Sequence, residues 1–144
     1  MVDQILLDKL KLIRRHPEST GYDAFLLLFQ IFKQLLEEND KLKKKIKGLD
    51  LCLQYIIIEE GEEIYKYWSS IKENVLDFGE GESPNVTVTL KGSREIFGGI
   101  LSREFNYLDA VKAGDLEMIG NHHDAFIYGK ILLHAAKILD DLLK

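Results

Sequence analysis

The hydrophobic pattern of this chain changes period at Gly48, and that change restricts the folds open to it. Before Gly48, Phe25, Leu28, Phe29, Phe32, Leu35, Leu36, Leu42 and Ile46 recur in steps dominated by three and four. That spacing predicts a long amphipathic helix over residues 22–46, with Gly48 as its stop. After Gly48 the residues alternate. Leu49, Leu51, Leu53, Tyr55 and Ile57 share one face, while Asp50, Cys52, Gln54, Ile56 and Ile58 form another that turns apolar towards its end. This is a strand that becomes more deeply covered along its length. Glu59-Glu60-Gly61-Glu62 reads as a hairpin turn, and strands are expected over residues 63–69 and 75–78. Beyond Pro84, the β-branched run Asn85-Val86-Thr87-Val88-Thr89-Leu90 predicts a further strand. Strands that cluster, with helices gathered on either side in sequence, indicate an α+β fold. The expected sheet is five-stranded and mainly antiparallel, covered on one face by helices.

The other elements follow from the same reasoning. Ile5, Leu6, Leu7, Leu10, Leu12 and Ile13 line one face of a short first helix, interrupted by Pro17 and Gly21. Ser19 and Thr20 stand ready to cap the helix that follows. Ser93 caps a short helix carrying Ile96, Phe97, Ile100 and Leu101, and a second short helix spans residues 107–112. Gly114 breaks it before a last strand over 116–119, and a helix over 122–143 closes the chain. That helix is apolar around well over half its circumference, so it must be buried on several sides or face something apolar that is not protein. At 144 residues, 46% hydrophobic and 30% charged, the chain has the size and composition of one domain, 1–144. Residues 1–46 form an N-terminal helical extension, and 47–144 the sheet and pocket helices. A domain near this length buries roughly 68–70% of its unfolded surface and needs neither disulfide nor metal to hold together.

Composition removes several classes of function. The single cysteine, Cys52, cannot form an internal bridge, and no Cys/His cluster is present, which points to a reducing, cytoplasmic setting. No apolar run reaches the roughly 18 residues of a membrane span, and the N-terminus lacks the basic, then apolar, pattern of a signal peptide. The net charge of −5 argues against nucleic acid as partner. Lys41, Lys43, Lys44, Lys45 and Lys47 form one basic cluster. The plainer account is a solvated final helical turn complementing the macrodipole; the other is transient contact with an anionic membrane surface.

Several segments resemble a known family. Gly81-Glu82-Ser83-Pro84-Asn85-Val86-Thr87-Val88-Thr89-Leu90 is similar to its acidic turn followed by a strand, and 93–101 to its next short helix. Val111-Lys112-Ala113-Gly114-Asp115-Leu116-Glu117-Met118-Ile119-Gly120 resembles a later strand, with Gly114 and Gly120 on its two motif glycines. The family is the sterol carrier protein 2 domain, and the resemblance covers roughly residues 49–143. Asn121 stands where the family usually has Asp, and Phe105-Asn106 where it often has Asp-Pro. The resemblance implies a helix-covered five-stranded sheet enclosing an apolar tunnel for a fatty acid, fatty acyl-CoA or isoprenoid- or sterol-like lipid.

The expected lining is Phe97, Ile100, Leu101, Phe105, Leu108, Met118, Phe126, Ile127, Ile131 and His134. No catalytic residue, metal or cofactor is expected. His122-His123-Asp124 tempts a metal reading, but adjacent helical residues point about 100° apart, and a helix start is the plainer account. Glu59, Glu60, Glu62 and Glu63 read as a solvated turn, and the cluster Tyr55, Tyr65, Tyr67, Trp68 as core or pocket lining. His134 is expected to be a partly buried helix residue. The expected function is non-catalytic lipid binding and carriage. The alternative is an interaction or homodimerisation module whose tunnel is filled by its own side chains.

Overall fold

The computed structural model describes residues 3–15, 23–101 and 107–143, with side chains over 3–12, 26–97 and 109–143. The alternation after Gly48 becomes a sheet of five strands: β1 (Leu51–Glu59), β2 (Glu62–Lys72), β3 (Val75–Glu80), β4 (Val88–Ser93) and β5 (Leu116–Gly120). Their order across the sheet is β3-β2-β1-β4-β5. Two-residue turns build the β1–β2–β3 meander. Glu60 and Gly61 (φ 52° and 80°), then Glu73 and Asn74 (52° and 65°), hold the left-handed conformations that match strand twist.

The sheet is mixed, not mainly antiparallel as expected. β1 pairs antiparallel with β2 but parallel with β4, in the register Leu53–Val88 to Ile58–Ser93. The cause is the connection over residues 81–87. It does not turn β3 back into another hairpin but carries the chain across β2 and β1, so that β4 starts beside the start of β1. It also takes Asn85, Val86 and Thr87 out of the predicted strand, which begins at Val88 and runs on to Ser93. Thr87 fixes the landing point: its N–H donates to the Cys52 carbonyl (2.9 Å), and its Oγ1 accepts from the Cys52 N–H (3.1 Å).

The helices are α1 (Gln4–Arg15), α2 (Asp23–Glu38), α3 (Asp40–Ile46), α4 (Arg94–Leu101), α5 (Tyr107–Lys112) and α6 (His122–Leu142). The single helix predicted over 22–46 is therefore two. Asn39 leaves the helical region (φ −93°, ψ 116°), and its side chain accepts from the Leu42 N–H at 3.0 Å, which starts α3 afresh. Ser93 caps α4 as expected, accepting from the Ile96 N–H at 3.2 Å, and Asn121 caps α6 through the Asp124 N–H at 3.2 Å. The expected caps Ser19 and Thr20 lie outside the described residues.

Strand parity separates the two faces of the sheet. Leu53, Tyr55 and Ile57 point inwards with Tyr67, Ser69, Leu90 and Leu116, and all are buried. α2, α4 and α6 lie over this inner face, and Leu42 and Ile46 bring α3 into the same core. The outer face is covered by other means. Ile56 is only 7% exposed, because its cross-strand neighbours Lys66 and Lys91 extend over it and Glu63 ties both ammonium groups (3.3 and 3.5 Å). Gln54, also outward, holds the 81–87 connection. Its Nε2 donates to the carbonyls of Tyr67 (2.9 Å) and Gly81 (2.8 Å), and its Oε1 accepts from the Ser83 N–H (2.9 Å).

Candidate functional site

The space between the inner sheet face and α2, α4 and α6 is built from aromatic rings. Tyr55 and Tyr67, neighbours across β1 and β2, stack with centroids 4.5 Å apart and planes 9° from parallel. Phe29 of α2 leans on both at 5.6 and 5.8 Å, with Phe78 of β3 behind it at 6.2 Å. Phe97 of α4 meets the same pair edge-on at 6.1 and 6.4 Å, the favoured approach of a ring edge to a ring face. Tyr65 extends the row along β2 at 5.8 Å. From α6, fully buried Tyr128 reaches this floor, flanked by the small buried residues Ala125, Gly129 and Ala136 that bring the helix close.

The electrostatics are those of an uncharged interior. Among the described residues no charged side chain is buried, and Gln54 and Ser69 are the buried polar ones beside the tyrosines. Ser69 sits 3.2 Å from the Tyr55 hydroxyl. Burial pushes the Tyr55 phenol far up, against the opposing pull of its hydrogen bonds to Ser69 and Tyr128, so it stays neutral at every physiological pH. Burial likewise pushes the Cys52 thiol up, against a hydrogen bond with Ser83, so it is a packed thiol rather than a reactive thiolate. This interior is lined by apolar rings and a few neutral hydroxyls.

The structure distributes the expected lining residues unevenly. It brings Phe97 onto the Tyr55–Tyr67 pair, buries Ile131, and packs half-buried Met118 and Ile127 against the same core. Phe126 is 36% exposed on the solvent side of α6. Half-buried His134 is held below its usual pKa by burial first, then by the ammonium groups of Lys45, Lys41 and Lys137. The side chains of Ile100, Leu101, Phe105 and Leu108 lie outside those described. Two open depressions, one around Leu36, Glu37, Lys43, Lys47 and Asn74 and one around Gln30, Lys33, Gln34, Glu37, Asp77 and Phe78, contain none of the expected lining.

Sequence reading placed Tyr55, Tyr65 and Tyr67 in core or pocket, and they form the floor. Trp68 faces the other way, with its indole against Gly79, where a Cβ would come within 2.9 Å of the ring. Phe29, Phe78 and Tyr128 were not picked out as site residues. The signal for Tyr128 was the spacing of Ala125, Gly129 and Ala136 around it. His122 and His123 are exposed at the start of α6, and among the described residues no group of three or more His, Cys, Asp or Glu is placed to hold a metal. Glu63 is drawn below the usual carboxylate range by Lys66 and then Lys91, and Glu59 lies 4.0 Å from Arg94: the acidic turn belongs to surface ion pairs. Among the described residues no helix is long and apolar enough to cross a membrane.

Comparison by sequence finds no curated protein that matches the chain. Among solved structures, the chain is similar to apo sterol carrier protein 2 from Yarrowia lipolytica, with a TM-score of 0.59 at 20% identity, covering 81% of this chain and 97% of that one. It is similar to palmitated SCP2L2 from Aedes aegypti, with a TM-score of 0.60 at 16% identity over 78% and 94%. It also matches part of the sec-alkylsulfatase Pisa1 from Pseudomonas sp., with a TM-score of 0.50 at 19% identity over 62% of this chain. The chain spans only 14% of that enzyme. These likenesses establish the fold. The model of the SCP-2 sterol transfer family matches residues 32–131, well over half of the sequence, and so the chain belongs to the SCP-2 sterol transfer family.

Proposed function

We propose that the protein binds and carries a hydrophobic ligand without catalysing its conversion, holding a fatty acid, fatty acyl-CoA or isoprenoid- or sterol-like lipid between the inner sheet face and α4 and α6. The observation that carries this reading is the uncharged aromatic floor of Tyr55, Tyr67, Phe29 and Phe97 in a chain of this family. Removal of hydrocarbon from water, about 0.8 kcal/mol per CH₂, would supply the affinity. The neutral hydroxyls of Tyr55 and Ser69 offer hydrogen bonds to a polar end without the cost of a buried charge. A palmitated relative of the same fold, SCP2L2, is in keeping with an acyl ligand. A cytoplasmic carrier in transient contact with membranes fits the lone free thiol.

The direct test is to purify the protein without delipidation, extract it with organic solvent and identify the released compounds by mass spectrometry. The expected outcome is a near-stoichiometric lipid. An extract that remains empty after the protein has been offered mixed lipids overturns the carrier reading in favour of an interaction module. Ile131→Trp, which enlarges a buried wall residue on α6, is expected to reduce uptake of a fluorescent fatty acid several-fold.

A further inference from the structure

The solvent side of α6 is not simply polar. Phe126, Lys130, Leu133 and Lys137 follow in steps of four, three and four, so they form one stripe, and all four are exposed. Phe126 and Leu133 are 36% and 37% exposed, on the opposite side of the helix from the seven residues it buries. Alongside runs α3. Leu42 and Ile46 turn its other side into the core, which leaves Lys41 and Lys45 on the flank nearest α6 and Lys44 outermost. The two helices pack against each other, and His134 of α6 lies within electrostatic reach of Lys45, Lys41 and Lys137. In a chain of net charge −5, this places Lys41, Lys44, Lys45, Lys130 and Lys137 on one surface, with Asp40, Asp140 and Asp141 at its ends.

We propose that the solvent stripe of α6, together with the Lys41–Lys45 flank of α3, is a docking face for anionic lipid bilayers. Two features of the surface select a bilayer over a nucleic acid. All its cations are lysines, which act as point charges at a headgroup layer, with no arginine for bidentate contact with phosphate or bases. Its apolar residues sit between the lysines, where Phe126 and Leu133 can enter the boundary of headgroup and acyl chain while the neighbouring ammonium groups stay in the polar layer. The inference extends the carrier reading by naming where a carrier would meet its membrane. Its test reads vesicle binding and not ligand uptake, so either reading can fail alone.

The full chain is co-sedimented with vesicles of phosphatidylcholine, with and without phosphatidylserine. Binding is expected to the serine-containing vesicles only, and to weaken as salt is raised. Lys41→Gln with Lys45→Gln is expected to weaken it by about tenfold or more, as is Lys130→Gln with Lys137→Gln. Lys43→Gln with Lys47→Gln removes the same charge from the opposite flank of α3 and is expected to leave binding within about twofold. Leu133→Gln should lower the binding that survives high salt. Circular dichroism establishes that each variant is folded. Equal losses in all three lysine pairs, equal binding to both vesicles, or binding of a single-stranded oligonucleotide but of neither vesicle would each overturn the proposal.

Discussion

At the scale of single residues, Gln54 does the work of several backbone groups. Its carboxamide satisfies two carbonyls and one N–H that the crossing connection would otherwise leave without partners beside the sheet. Gln54→Leu keeps much of the volume and removes all three bonds. It is expected to lower stability by about 3 kcal/mol, read by urea unfolding, with faster amide exchange at Ser83. His134 governs a different response. Its pKa is lowered from 6.5 in the folded chain, so the unfolded chain takes up the extra proton first. Its share of stability is complete above pH 6.5 and declines as pH falls from there through the lowered folded value. His134→Asn should flatten that acid limb and leave stability above neutrality unchanged. In NMR titration, Lys41→Gln with Lys45→Gln should move the His134 midpoint upwards, though not fully back, since burial is the larger cause.

At the scale of elements, the decisive contacts are places where one segment closes on another. Gly120 ends β5 at φ 112°, and a Cβ there would lie 2.6 Å from the Thr87 carbonyl oxygen. That same oxygen accepts from the Asn121 N–H at 2.9 Å, which fixes the start of α6. Gly120→Ala should cost about 2–4 kcal/mol and broaden thermal unfolding, whereas Gly61→Ala, open on all sides, should cost only its backbone strain. These contacts also show why elements were more legible than their connections. The strands over 49–58, 63–69 and 116–119 and the cap at Ser93 follow from alternation and local chemistry, and the structure contains them, although the first starts at Leu51 and not Leu49. The first residues of the predicted strand over 85–90 alternate just as well, yet Asn85 to Thr87 serve the crossing, because a tertiary bond to Cys52 outweighs β-propensity there. Likewise Leu35, Leu42 and Ile46 keep one helical phase across the polar stretch 37–41, so periodicity could not reveal that Asn39 ends one helix and starts another.

At the scale of the molecule, the sequence made the family and the apolar interior legible, but not which side chains pack where. Strand parity put Tyr55 and Tyr67 indoors, and the apolar excess of α6 announced something to cover. The same excess put Phe126 in the expected lining, and its ring is 36% exposed: composition counts apolar residues around a helix but does not say which neighbour covers each. On the carrier reading proposed above, a ligand held against the aromatic floor binds only the folded state and so raises the melting temperature. Saturation at about a hundred times its Kd corresponds to roughly 2.7 kcal/mol, or some 5–10 °C for a chain of this length. Differential scanning fluorimetry with a series of fatty acids should therefore rank chain lengths, with no shift for short, water-soluble acids.

The parallel pairing of β1 with β4 has a consequence for the order in which the chain can be assembled. β1 is central, yet one of its hydrogen-bonding edges stays open until residues 88–93 arrive from the far side of β3. During synthesis the meander β1–β2–β3 is complete while that edge, flanked by Leu53, Tyr55 and Ile57, still lacks its neighbour. A nascent or truncated chain ending near residue 87 thus presents a long, apolar template to any other such chain. Expressed alone, residues 1–87 should self-associate into β-rich aggregates, and supplying the later strand within the same polypeptide is what prevents it.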